Sequence, residues 1–182
     1  MALFDSTAFE GHEAIHAFSD EKSGLKAIIT LHSTACGPAA GGCRMWNYPD
    51  AEAALEDALK LSRAMSYKSA MADLPLGGGK SVIIGDGRTQ KTPALFEAYG
   101  RAVETLNGRY WAAEDVGVSP QDLASARTQS RYIAGLKGHA AASGDPSPVT
   151  AEGLFRGIAL CVQRQMKRDL TGVVVALQGV GH

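Results

Sequence analysis

A chain of 182 residues with 45% hydrophobic and 20% charged residues can bury one core, or one domain and the start of another. Its formal net charge of -1 gives no electrostatic reason to bind nucleic acid or an anionic membrane surface. The first residues carry acids and no leading basic cluster, and the apolar run 173–177 is too short to span a bilayer, so neither a secretory signal nor a membrane helix is expected.

Residues 25–32 form a β-branched run after a Ser-Gly turn and are predicted to pair as a hairpin with 15–18. A strand so early in the chain is either a subunit-pairing edge or a covered one. The segment 36–45, CGPAAGGCRM, has residues small enough for its carbonyls and amides to line a ligand cleft, although a Gly-Gly pair alone is most often a turn. Asp50 then caps a helix whose early acids, Glu52, Glu56 and Asp57, suit the positive end of its dipole. Ala54, Leu55, Ala58, Leu59, Leu61 and Met65 form its apolar stripe. Lys68 falls at or just past the helix end, where a cation is favourable for structural reasons alone.

The stretch 65–86, MSYKSAMADLPLGGGKSVIIGD, concentrates the chemistry. Lys68 and Lys80 flank a proline and three glycines that run into the apolar strand 81–84. A lysine buried where glycines let a ligand approach, with a second cation nearby, has a lowered pKa and becomes a base. Two cations in one cleft also suit an anionic substrate. A glycine-rich turn carrying two solvated lysines is the competing reading. A phosphate-binding loop of the nucleotide-hydrolysing kind is disfavoured, because it needs a glycine where Leu74 stands and a helix where a strand follows Lys80.

Thr92-Pro93 opens a helix to about Leu106, closed by Asn107-Gly108. Residues 109–113 form the next strand, with Asp115 at its carboxyl end, where ligands sit in open α/β sheets. Asp115 is therefore a candidate proton-transfer group, with helix capping as its competing role. A further helix starts at Ser119-Pro120. Residues 135–148 read as a loop in which His139 is a polar residue rather than a base. Thr150 caps a helix to about Arg168, and 173–177 reads as a buried parallel strand leading into Gly179-x-Gly181, the front half of a dinucleotide fingerprint. Cys36, Cys43 and Cys161 lack metal-ligand spacing and read as reduced thiols in packing positions, with no metal site. The alternation of elements predicts an α/β fold: a layered α/β/α domain with an open, mostly parallel (mixed) sheet.

Six motifs stand together in order and spacing: Gly41-Gly42-x-Arg44-Met45, Met65-x-x-Lys68, LGGGKS at 76–81, AEDVG at 113–117, SGDPSPVT at 143–150 and the final Gly-x-Gly. Over nearly its whole length the chain resembles the glutamate/leucine/phenylalanine/valine dehydrogenases, the leucine dehydrogenases most. The resemblance implies a substrate-binding and oligomerisation domain over 1–150. It makes 151–182 the connecting helix and first strand of a truncated NAD-binding Rossmann domain.

The implied reaction is NAD-dependent oxidative deamination of an apolar L-amino acid to its 2-oxo acid and ammonia, in a cytoplasmic homo-oligomer that is a dimer or a higher even-numbered assembly. Lys68 would hold the substrate α-carboxylate, and Lys80 would be general base on the water attacking the iminium carbon. Asp115 would exchange protons with the amine, and the carbonyls around Gly41 and Gly42 would receive the substrate ammonium. Met65, Ala40 and Ala113 would line the pocket, while Thr150, Gly179 and Gly181 would lie at the cofactor.

Ala40 stands where glutamate-specific members carry a lysine, which argues against a second substrate carboxylate. It is also smaller than the leucine expected in the leucine enzymes, which keeps phenylalanine as an alternative substrate. Glu152 and Cys43 replace residues the family leads one to expect. A non-catalytic carboxylate-binding or assembly module is the alternative from a different class, and a phosphate binder at 77–80 is a third.

Overall fold

The structure is a computed structural model that describes residues 3–136 and 147–179. The chain divides into two compact units, Met1–Ala142 and Ser143–His182.

The first unit is built on a five-stranded mixed sheet in the order β1-β2-β4-β3-β5. Strands β1 (Ala14–Asp20) and β2 (Leu25–Ser33) form the expected antiparallel hairpin, from Ala14 opposite Leu31 to Asp20 opposite Leu25. Its turn closes where the Asp20 carboxylate accepts from the Lys22 and Ser23 amides. Strand β3 (Ala39–Trp46) runs parallel to both β4 (Gly77–Ile84) and β5 (Tyr110–Glu114), while β2 and β4 are antiparallel. Half of the strand pairings are thus parallel.

Two elements depart from the expectation. The segment around Gly41-Gly42 is a full strand, and β4 starts at Gly77, so all three glycines belong to the ladder. Close packing is the reason. A β-carbon on Gly41 would run into the Gly79 carbonyl, and one on Gly78 into Ser66 and the Ser62 carbonyl.

Helix α1 (Ala51–Met71) covers one face of the sheet, with its first turn capped by the Asp50 carboxylate 2.7 Å from the Ala53 amide. It runs six residues past Met65, so Lys68 lies inside its last turn. Small buried residues, Ala54, Ala58, Ser62 and Ser69, let it lie close on the strands, where Ala54 and Ala58 meet Val82. Helices α2 (Pro93–Glu104) and α3 (Pro120–Arg127) cover the other face; Thr92 caps the first and a Ser119–Asp122 capping box starts the second. Between them and the sheet lies the larger core, with Ile29, Leu31, Met45, Ile83, Phe96, Tyr99 and Tyr110 fully buried. Each apolar side chain of this size contributes roughly 1.5–3 kcal/mol by leaving water.

The second unit contains helix α4 (Ser147–Met166). It starts at Ser147, so Thr150 lies within the first turn rather than at the cap. Residues 173–179 form no strand, and Val174 is 96% exposed. A strand exists only where a neighbour takes up its backbone hydrogen bonds, and the described residues of this unit supply none. His139, residues 143–146 and Gly181 lie outside the described residues. The packing role assigned to the cysteines holds for buried Cys43 alone, since Cys36 and Cys161 are exposed; all three are free thiols. Among the described residues no helix is long and apolar enough to cross a membrane, and no cluster of side chains could hold a metal ion.

Candidate active site

Side chains alternate along β4, so Lys80 shares the α1-facing side with Gly78 and Val82. Its side chain is only 6% exposed. Asp115 follows the carboxyl end of β5, with β3 lying between the two strands. Lys80 Nζ nevertheless donates to Asp115 Oδ2 at 2.6 Å. Gly42 is what permits this reach: a β-carbon there would sit 2.7 Å from the Asp115 β-carbon. A residue without a side chain thus opens a passage across the middle strand.

The same Asp115 oxygen accepts from Arg44 Nε at 3.0 Å. Arg44 Nη1 donates to Asp57 Oδ2 at 2.9 Å, and the Tyr48 hydroxyl donates to that oxygen at 2.6 Å. Two cations and two carboxylates therefore alternate from β4 to α1. Burial pushes the Asp115 carboxyl upward, but Lys80 and Arg44 outweigh it and hold Asp115 below the usual carboxylate range. Burial likewise opposes the Arg44 charge, and Asp115 and Asp57 overcome it. Tyr48 is raised by burial and by its bond to Asp57, which keeps its hydroxyl a donor. An open cleft of about 430 Å³ adjoins this chain, lined by Arg44, Trp46, Tyr48, Asp57 and Val116.

The sequence put a second amine beside Lys80, whereas the side chain bonded to it is a carboxylate. Lys68 is exposed and makes no ion pair among the described residues. It stands eleven positions after Asp57, about three helical turns, so both project from the same side of α1. Asp57 reaches Arg44 of β3, which makes this the side that overhangs β3. Half-buried Met65 lies one turn before Lys68. Beneath them, Ala40, Gly42 and Ala113 share the Lys80 face as a floor of small residues, with Gly42 in register with Ala113.

The Gly41 carbonyl accepts from the buried Tyr110 hydroxyl at 2.8 Å. The β3–β4 pairing stops at Ala40–Gly78 and resumes in unchanged register at Cys43–Ser81, and this hydroxyl fills the gap. One lone pair of the Gly41 carbonyl is therefore already engaged. Burial pushes the adjacent Cys43 thiol up to about 11, so it stays protonated and unreactive.

The sequence missed Tyr48 and Asp57 as site residues and left Arg44 without a role. Asp57 read as a helix-dipole charge; its same-side spacing to Lys68 was the available signal. Of the residues assigned to a cofactor, Thr150 is exposed on α4, and Gly179 is exposed in a left-handed conformation with open space around it. The described residues do not build a dinucleotide cradle.

Residues 12–132 match the family Glu/Leu/Phe/Val dehydrogenase, dimerisation domain, and the chain belongs to this family. It is 49% identical over 183 residues to the leucine dehydrogenase of Thermoactinomyces intermedius, a match covering 100% of this chain and 50% of that protein. The phenylalanine dehydrogenase of the same organism is 46% identical over 180 residues, 98% of this chain and 49% of that one. Among solved structures, L-tryptophan dehydrogenase from Nostoc punctiforme superposes with a TM-score of 0.70 at 40% identity, covering 87% of this chain and 44% of that chain. The chain spans about half the length of the curated relatives it matches.

Proposed function

We propose that these residues form the substrate-binding half of an amino acid dehydrogenase acting on an apolar L-amino acid, leucine or another branched-chain one. The observation that carries this reading is the Lys80–Asp115 bond across Gly42, in a sheltered site overhung by Lys68, which has no ion-pair partner among the described residues. An amino acid offers a carboxylate and an ammonium at fixed separation. Lys68 takes the carboxylate by a charge-assisted hydrogen bond. The α-ammonium competes with Lys80 for the anionic Asp115, which then accepts its proton. Lys80, released from Asp115 and having given up its proton to solvent, is then the neutral amine that deprotonates the water adding to the iminium carbon; Asp115 returns a proton to the departing ammonia.

NAD is the hydride acceptor in this reading, and only binding and proton transfers are assigned to the residues described above. Residues 1–150 serve substrate binding and assembly into an even-numbered cytoplasmic homo-oligomer, and 151–182 lead into the nucleotide-binding region. In this reading the 182-residue chain supplies substrate binding and proton transfer and is expected not to turn over alone.

Ala40 and Ala113 leave the pocket without a cation for a second carboxylate, which disfavours glutamate. The small size of Ala40 favours phenylalanine as the second reading, in keeping with the 46% identity to a phenylalanine dehydrogenase. Calorimetric titration of the chain with 4-methyl-2-oxopentanoate, phenylpyruvate and 2-oxoglutarate tests the assignment. The first two are expected to bind and 2-oxoglutarate to bind at least tenfold more weakly, a ratio of the size one mismatched pocket group produces. Equal binding of all three would refute the apolar substrate, and no binding would refute the site. Appreciable NADH formation from leucine by this chain would overturn the division of labour.

A further inference from the structure

The motif Gly41-Gly42-x-Arg44-Met45 contains a charged residue that the proposed reaction leaves unused. Arg44 is three-quarters buried, with its side chain 23% exposed, and its guanidinium lies between two acids from different elements. Its Nε donates to Asp115 after β5, and its Nη1 donates to Asp57 on α1. Asp57 is in turn fixed by the Tyr48 hydroxyl. We propose that Arg44 is a positioning residue for Asp115, anchored from its far side by Asp57 and Tyr48. This rests on the reading that Asp115 handles the substrate's protons.

The geometry explains why arginine and not lysine stands there. A planar guanidinium presents donors in fixed directions, so one edge can orient Asp115 while another is pinned by Asp57. A lysine offers a single point charge and would have to choose between the acids. Asp115 Oδ2 receives both Lys80 and Arg44; once substrate draws Lys80 away, Arg44 is the side chain that still holds the carboxylate in place. Tyr48 makes the anchor stiff, since its raised pKa keeps the hydroxyl donating at any pH the site experiences.

Among the described residues, the groups facing Asp115 are few. Lys80 comes from β4 and Arg44 from β3, while Cys43 of β3 and Tyr110 of β5 lie within electrostatic reach but stay neutral. Glu114 precedes it on its own strand, and Asp57 acts through Arg44. Of these, Arg44 and Lys80 are the cations in direct contact with Asp115.

The test uses the 182-residue chain and two readouts that a merely structural tie would leave in place: the Asp115 carboxylate titration by carbon-detected NMR, and hydrogen exchange at Arg44 Nε–H. Arg44→Gln is expected to raise the Asp115 midpoint by about one unit, the effect of removing one contacting opposite charge. Asp57→Asn and Tyr48→Phe are expected to accelerate Arg44 Nε–H exchange by about tenfold, which corresponds to losing roughly one hydrogen bond of ordering. An unchanged midpoint in Arg44→Gln would overturn the proposal, as would unchanged exchange in both of the other variants. Should Arg44→Gln fail to fold, Tyr48→Phe removes only one oxygen and decides the matter through exchange. Titration with 4-methyl-2-oxopentanoate separates the two levels: a wild-type chain that binds none sinks the dehydrogenase reading, while the Asp115 and Arg44 shifts judge the positioning role alone.

Discussion

Gly42 and Asp115 stand so close that a methyl group on Gly42 would come within 2.7 Å of the Asp115 β-carbon and 2.6 Å of the Glu114 carbonyl oxygen. The bond between Lys80 and Asp115 passes over this position, so the glycine determines whether the two can meet.

Gly42→Ala is therefore expected to destabilise the fold by about 1–3 kcal/mol, the usual cost of overpacking, because one of its two clashes is with rigid backbone. It also pushes Asp115 away from Lys80. Urea denaturation measures the first effect, and the Asp115 titration measures the second as a midpoint moved upward toward the ordinary carboxylate value.

Removing either partner of the Lys80–Asp115 pair has unequal consequences. Asp115→Asn leaves the ammonium of Lys80, 6% exposed, without its counter-charge. Losing one partner of a buried pair costs about 3–5 kcal/mol. Lys80→Met leaves Asp115 bonded to Arg44 and 24% exposed, so its cost is expected to be smaller. Chemical denaturation of the two variants side by side checks the order, and equal losses would contradict it.

Acid should weaken the unit through the same carboxylate. Asp115 has its folded-state pKa held below the unfolded value, so its contribution is fully present above about pH 4, the ordinary value for aspartate. That contribution is lost as the pH falls from there through the depressed folded-state value. Stability measured between about pH 5 and pH 2 is expected to fall less steeply in Asp115→Asn than in the wild type.

Lys68 offers the opposite case. It is exposed and unpaired among the described residues, so Lys68→Ala is expected to leave stability within about 0.5 kcal/mol of wild type. Binding of 4-methyl-2-oxopentanoate should nevertheless fall by roughly tenfold or more, since a charge-assisted hydrogen bond to the carboxylate is lost. Calorimetry and a melting curve on one sample distinguish the two effects.

Local chemistry made much of the fold legible. Asp50, Thr92 and Ser119 mark helix starts because their side chains satisfy the first free amides, and the β-branched run from Leu25 declares its strand. Strand β3 and the start of β4 were hidden, because glycines show no alternation; close packing of neighbouring strands puts them in the ladder. Residues 173–177 show the converse, a strand-like composition with no partner among the described residues. Lys80 and Asp115 were visible as candidates, yet the order β4-β3-β5 that joins them across Gly42 is a long-range property. Tyr48 and Asp57 entered the site through the same topology, because they act on Asp115 only by way of Arg44.

In the proposed reaction everything turns on Lys80 moving protons for a bound amino acid. Its most direct test is NADH formation from leucine by the dehydrogenase of which this chain is proposed to form the substrate-binding half, with Lys80→Ala compared to the wild type. A general-base role predicts a loss of turnover of roughly a hundredfold or more, with binding of 4-methyl-2-oxopentanoate retained. Turnover undiminished by Lys80→Ala would contradict it.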